Sequence, residues 1–152
     1  KYSRLELAQR FGKFGSYLYD VVRGNDNRRV KPNRIRKSLS SESTYSVDLE
    51  TIADIKAAAA KLCHQVATSC QKYNIKGKTV NLKYRYADFS TFSRSRTLGG
   101  YFNDEQVIRD LTFEMLDEMP ADRQAIRLLG VGMSSLNTER KDNQLEFDFG
   151  ER

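Results

Sequence analysis

Apolar residues change their spacing along this chain, and the changes mark its elements. Residues 3–11 place Leu5, Leu7, Ala8 and Phe11 at helix-like intervals. After Gly12-Lys13-Phe14-Gly15 the pattern predicts a second helix from Ser16 to about Arg23. Ser16 would cap it, Leu18, Val21 and Val22 would form its apolar stripe with Tyr17 alongside, and Gly24 would end it. Residues 24–36 then lose apolar periodicity, apart from Val30 and Ile35. Five basic residues and Pro32 favour an extended, solvated segment there.

A compact domain is predicted next. Residues 37–47, rich in Ser and Thr, suit a strand, and Asp48 precedes a strong helix at about 50–73. Its face runs Ile52, Ile55, Ala59, Leu62, Val66, Cys70 and Tyr73, a spacing of three and four. Alanines at 57–60 add helix propensity. Residues 79–88 alternate, with Val80, Leu82, Tyr84 and Tyr86 on one side and Asn81, Lys83 and Arg85 on the other. A short turn near Asp88–Ser90 leads into a strand at 91–98, so these two form a hairpin. Asp104 is placed to cap a helix at 105–118 with Val107, Ile108, Leu111 and Met115 as its stripe. A last strand at 125–136 is expected to be broken or bulged near Gly130 and Gly132. The order βαββαβ predicts an α+β fold, a four-stranded sheet with both helices on one face and the other face open.

Alternation alone leaves the strand at 91–98 ambiguous. One side is Thr91, Ser93, Ser95 and Thr97, and the other is Phe92, Arg94, Arg96 and Leu98. Burying two unpartnered arginines is costly. The expectation is therefore that the Ser/Thr side lies under the helices and that Arg94 and Arg96 face outward. The open face would then gather Lys83, Arg85, Arg94 and Arg96 beside hydroxyls, with Asp88 the one acid in that stretch, an arrangement suited to phosphates.

Charge sharpens this picture. The 152 residues carry a formal net charge of +6, with 39% hydrophobic and 30% charged residues. Residues 1–37 hold eleven Lys or Arg against three Asp or Glu, a net +8, and the remainder is net −2. A basic segment on a near-neutral body fits a polyanion, most simply nucleic acid, and fits a solvated linker as well. No run of about 18 apolar residues is present, which excludes a transmembrane helix and any membrane role of that kind. Cys63 and Cys70 lie seven residues apart in a helical pattern, about 10 Å, too far for a disulfide. With His64 as the only histidine they match no zinc motif, and two free thiols suit a reducing cytoplasm. The chain opens on Lys1 in helix-like sequence, which suggests a piece of a longer protein.

Four segments in order, RFGKFGSYLYDVVRGND at 10–26, RKSLSSEST at 36–44, DFSTFSRSRTL at 88–98 and IRLLGVGMSSL at 126–136, resemble the C-terminal third of a Y-family translesion DNA polymerase of the bacterial kind. The resemblance implies that 1–23 is the end of the thumb, 24–35 the tether, 36–137 the little finger domain and 138–152 a flexible tail. It implies DNA primer-template as a partner, gripped by the thumb and by the little finger sheet along the backbone. FGKFG is similar to a helix-hairpin-helix turn, which assigns Gly12, Lys13, Gly15 and Ser16 to phosphate contact. Arg36, Lys37 and Ser38 open the second matching segment and join the DNA-binding set with Lys83, Arg85, Arg94 and Arg96. In the tail, Gln144, Leu145, Phe147 and Phe149 resemble the peptide that docks on the bacterial β sliding clamp. One departure is Gly132, where many family members carry a larger, often basic residue, so no side-chain DNA contact is expected there.

The resemblance also implies that catalysis lies elsewhere. Phosphoryl transfer needs a carboxylate cluster to hold two metal ions. In this family those acids and their magnesium sit in a palm, upstream of Lys1. Here Asp48, Asp54, Asp88 and Asp104 are scattered. The expectation is a monomeric, non-catalytic portion with no cofactor or metal of its own, in the cytoplasm. An RNA-recognition module, which stacks bases on outward aromatics, is a second reading with Phe92 as its one good outward ring. A regulatory ferredoxin-like domain is a third.

Overall fold

The computed structural model describes residues 2–32, 34–120 and 124–138. The chain divides into two compact units, 1–34 and 35–152. The clamp-peptide residues Gln144, Leu145, Phe147 and Phe149 lie outside the described residues.

The first unit is a helical pair, α1 (Arg4–Phe11) and α2 (Lys13–Val21). Ser3 starts α1 through a capping box: its hydroxyl accepts from the Glu6 amide at 3.2 Å, and the Ser3 amide donates to the Glu6 carboxylate at 2.7 Å. The helix at Ser16 begins earlier than its sequence suggests. Gly12 caps α2 at φ +58° and ψ −141°, so Ser16 sits inside the helix. A glycine supplies that turn because a side chain there is strained. Leu5, Phe11 and Val22, expected on apolar stripes, are largely exposed among the described residues. Gly15 is the buried residue of this pair.

The second unit contains β1 (Ser38–Leu49), α3 (Ile52–Lys72), β2 (Gly77–Tyr86), β3 (Thr91–Phe102), α4 (Glu105–Asp117) and β4 (Ile126–Leu136). The sheet order is β1-β4-β2-β3, and every neighbouring pair is antiparallel. Consequently β1 and β2 run parallel with β4 between them, and β3 and β4 run parallel with β2 between them. These are two interlocked split βαβ units, the predicted α+β arrangement.

Helix starts are local. The Thr51 hydroxyl accepts from the Asp54 amide at 3.1 Å, and the Asp104 carboxylate accepts from the Val107 amide at 3.1 Å. The core joins Ile55, Leu62 and Val66 of α3, Ile108 and Met115 of α4, Val80 and Leu82 of β2, and Leu129, Val131 and Met133 of β4. The α3 stripe is wider in its middle and shorter at its ends than predicted. Ala58, Cys63 and Ala67 are also buried, while Ile52 and Tyr73 are 40% and 53% exposed. Thr112 is fully buried and satisfied, its hydroxyl donating to the Ile108 carbonyl at 2.7 Å. Both cysteines are buried free thiols, and burial pushes their pKa values up.

The last strand corrects one expectation. β4 pairs without a break through Gly130 and Gly132 on both sides. Its register shifts fall instead at its start, between Ile126 and Leu128, against β1 and β2.

Gly15 provides a test of the helical pair. A Cβ added there would lie 1.9 Å from the Leu7 carbonyl oxygen, which is backbone and cannot swing away. Alanine is favoured over glycine inside a helix by about 1 kcal/mol, but overpacking against backbone costs about 1–3 kcal/mol or more. G15A is therefore expected to destabilise the pair. Amide hydrogen exchange should accelerate in α1 and α2 and stay unchanged in β2 and β4.

Candidate nucleic-acid interface

Residues directly opposite in an antiparallel pair project on the same side of the sheet. Val80, Leu82 and Tyr84 face the helices, and their partners on β4 are Met133, Val131 and Leu129. The other parity forms the open face. It carries Thr79, Asn81, Lys83 and Arg85 on β2, and Leu128, Gly130, Gly132 and Ser134 on β4. The edge strands add Ser38, Ser40, Glu42 and Thr44 on β1, and Thr91, Ser93, Ser95 and Thr97 on β3.

This register overturns the expectation for β3. Phe92 pairs with Tyr84, Arg94 with Leu82 and Arg96 with Val80, so all three lie on the helix side. The predicted burial cost does not arise, because β3 is an edge strand. Arginine stems can lie along apolar surface while their head groups reach out. Both guanidiniums meet Glu118, the residue that ends α4: Arg94 Nη1 lies 3.1 Å from Glu118 Oε2, and Arg96 Nη2 bonds Glu118 Oε1. Their side chains remain 32% and 38% exposed. Phe92 stacks on Tyr84, ring centres 5.6 Å apart, and tilts against Tyr86 at 5.4 Å. The paired positions of the open face therefore carry no aromatic ring among the described residues.

The open face holds two sequence-predicted cations rather than four. Lys83 Nζ donates to Glu42 Oε2 at 2.7 Å, and Arg85 Nε donates to Thr91 Oγ1 at 2.7 Å. Glu42 is the site residue that sequence reasoning missed. Its signal was present: Leu39 is buried in β1, so alternation puts Ser38, Ser40, Glu42 and Thr44 opposite it. Glu42 and Lys83 meet across β4 because both pair with Gly130, where an added Cβ would touch the Glu42 side chain at 3.3–3.5 Å. At Gly132 a Cβ would lie 2.9 Å from the Ser40 Cβ. Gly132 is thus a point of close approach between β1 and β4.

Around this low centre runs a hydroxyl system. Asn81 Nδ2 donates to Ser134 Oγ at 2.9 Å, and Thr79 Oγ1 lies 2.9 Å from Thr97 Oγ1 and 3.3 Å from Ser135 Oγ. A groove of about 340 Å³ lies over Ser38–Glu42, Asn81, Lys83 and Gly130–Ser134. Arg36 and Lys37 are exposed just ahead of β1, and Ser38 opens the strand. In the helical pair, Gly12 and Lys13 are exposed and Ser16 is half-buried. Gly15 is buried, and its amide donates to the Gly12 carbonyl at 3.0 Å.

Among the described residues no group of three or more His, Cys, Asp or Glu is placed to hold a metal. No helix there is long and apolar enough to cross a membrane. His64 Nδ1 lies 2.7 Å from Glu105 Oε2, joining α3 to α4 on the side away from the open face.

Four antiparallel strands with two helices on one face and a polar, glycine-floored opposite face define an α+β module of the split βαβ type. Residues 36–147 match the C-terminal domain of the impB/mucB/samB family. The chain is similar to DNA polymerase IV of Streptococcus thermophilus strain CNRZ 1066, 39% identical over 148 residues, covering 97% of this chain and 40% of that protein. It is also similar to DNA polymerase IV of Streptococcus agalactiae serotype Ia, 41% identical over 145 residues, covering 95% and 40%. Against DNA polymerase IV 2 of Agrobacterium fabrum it is 39% identical over 135 residues, covering 89% and 38%. The chain belongs to the impB/mucB/samB family, the Y-family DNA polymerases, and carries its C-terminal domain. It spans about two-fifths of the length of these relatives.

Glu118 provides a test of the β3 assignment. Its hydrogen bond from Arg96, then the charges of Arg96 and Arg94, hold its carboxyl below the ordinary value of 4.5. A depressed carboxyl pKa stabilises the fold above the unfolded value, and that contribution fades as pH falls through the folded value. Thermal stability is expected to drop between about pH 5 and pH 3. In E118Q that part of the slope should be absent. An identical slope in the variant would show that the arginines do not depend on Glu118.

Proposed function

We propose that this chain is the non-catalytic, DNA-holding portion of a translesion DNA polymerase. The parent enzyme is a magnesium-dependent DNA-directed DNA polymerase of the cytoplasm, and its carboxylates and metal lie outside this chain. The chain itself is inactive in nucleotide transfer, holds no cofactor and works as a monomer. The carrying observation is the open sheet face. Its hydroxyls and Lys83 line a groove floored by Gly130 and Gly132, and Arg85 lies two residues further along β2 on the same face, an arrangement that suits a phosphate backbone and reads no base.

In this reading Lys83 and Arg85 hold phosphates of a primer-template, and Ser38 and its neighbours add neutral donors. Arg36 and Lys37 extend the contact from the tether, and Gly12 and Lys13 supply the phosphate contact of the helical pair. Gly15 packs α2 against the Leu7 carbonyl of α1, and Ser16 lies inside α2. Arg94 and Arg96, held by Glu118 on the other face, serve the fold. The RNA-recognition reading loses its support, since Phe92 stacks on Tyr84 under the helix side.

Duplex DNA binding by the chain is expected to be weak, indifferent to sequence and steeply salt-dependent. K83A/R85A should weaken it and flatten the slope of log K against log salt by about two. R94A/R96A should lower thermal stability slightly and leave DNA affinity at moderate salt nearly unchanged. Equal DNA defects in both double variants would overturn the face assignment.

The tail carries the second partner. Gln144, Leu145, Phe147 and Phe149 dock as an extended peptide on the bacterial β sliding clamp, apolar anchors in a groove and the glutamine at its edge. Deleting residues 144–149 is expected to abolish clamp binding in a pull-down with purified clamp and to spare DNA binding. Full clamp affinity after deletion would remove the tail assignment.

A further inference from the structure

The register brings four chain segments to one end of the sheet. Ser38 pairs with Ser134, and Gly77 pairs with both Leu136 and Phe102. The start of β1, the end of β4, the start of β2 and the end of β3 therefore share one pole, and α3 delivers its last turn there. This pole gathers Arg36, Lys37, Lys72, Lys76 and Lys78. No Asp or Glu occurs in the described segments 34–38, 70–80 and 134–138, and the acids that follow β3, Asp104 and Glu105, are engaged in capping α4 and in pairing with His64 and Arg109. Such a concentration is absent from the open face, where Glu42 takes up Lys83.

Two tyrosines stand among these cations. Tyr73 is 53% exposed at the end of α3, with the Arg36 guanidinium 4.8 Å and the Lys72 ammonium 5.7 Å from its ring centre. Tyr101 is 49% exposed, with the Lys78 ammonium 4.7 Å from its ring centre. A bulge presents Tyr101. Thr79 pairs with Thr97 and Gly77 with Phe102, so residues 98–101 of β3 all lie opposite Lys78. Gly99 and Gly100 sit in this bulge with nothing within 4 Å of an added Cβ, leaving the backbone open to a close-lying strand. Four strands at about 4.8 Å spacing make the pole roughly 14 Å wide, room for a short run of nucleotides.

Cations that track a backbone, alternating with exposed rings that stack bases, are the recurring means of holding an unpaired strand. We infer that this pole is a binding site for single-stranded DNA, built from Tyr73 and Tyr101 with Lys72, Lys76 and Lys78. It adjoins the duplex-facing sheet, with Arg36 and Lys37 between the two, and rests on the reading of the chain as a DNA-holding module. Duplex DNA offers no unstacked base to these rings, so discrimination comes from Tyr73 and Tyr101 and general affinity from the lysines. An acidic peptide would satisfy the lysines and leave the rings unused.

The test uses the full chain and fluorescence anisotropy with three probes: an oligothymidylate of about twelve nucleotides, a blunt duplex and a poly-glutamate peptide. Y73A/Y101A is expected to lose roughly tenfold in oligothymidylate affinity and to change its duplex affinity far less, since Tyr73 reaches the duplex contact through Arg36 alone. Y73F/Y101F, which retains the rings, should bind like the parent chain. K83A/R85A should show the reverse pattern, weaker on duplex and unchanged on oligothymidylate. Circular dichroism confirms that each variant folds. Duplex binding without oligothymidylate binding would overturn this inference and leave the duplex reading standing. Loss of neither probe in Y73A/Y101A, or poly-glutamate binding as tight as oligothymidylate, would overturn it as well. A chain that binds neither nucleic acid would overturn both.

Discussion

The surface chemistry of this domain depends on the parity of its antiparallel pairing. Once Val80, Leu82 and Tyr84 are buried under α3 and α4, every directly paired residue is assigned to a face. A slip of one residue would move the whole apolar set of β2 into water, so the register is strongly held. The same constraint carries Arg94 and Arg96 to the helix side, whatever their own preference. There, the edge position of β3 and the carboxylate of Glu118 make the placement inexpensive.

The glycines of β4 are the second consequence of close pairing. Gly130 leaves space for the ion pair between Glu42 and Lys83 to cross a central strand, and Gly132 accepts the approach of Ser40. Without side chains at these points, the open face has a floor of backbone flanked by hydroxyls. An exposed ion pair of this kind contributes little to stability. Its larger effect is on the field of the face, because the Glu42 carboxylate offsets part of the charge that Lys83 still presents to solvent. Positive charge in this unit is concentrated instead just ahead of β1 and at the pole where the chain enters and leaves the sheet.

Several elements were legible from local sequence because their causes are local. Asp104 caps the helix that follows it, and strict alternation in β2 reports a half-buried strand. The reading failed where two states were locally equivalent. In β3 both sides carry polar residues, so alternation does not choose between them, and the desolvation cost of two arginines falls away because long side chains escape at a sheet edge. In α2 the run of Gly12, Lys13, Phe14 and Gly15 looked like a loop with Ser16 as a cap. Contact with the Leu7 carbonyl instead uses Gly15 as a packing surface and lets the helix begin three residues earlier.

The chain by itself determined the number and order of elements, the apolar side of β2 and of both long helices, the family and the uneven distribution of charge. These depend on periodicity, capping and composition, which a linear string contains. The tertiary structure decided which face each β3 residue occupies, that Glu42 shares the open face with Lys83, and that Tyr73, Tyr101 and five cations meet at one pole. Those facts depend on strand order and register between segments up to about a hundred residues apart. Pairing energy over the whole sheet selects that register, and no local window of the sequence encodes it.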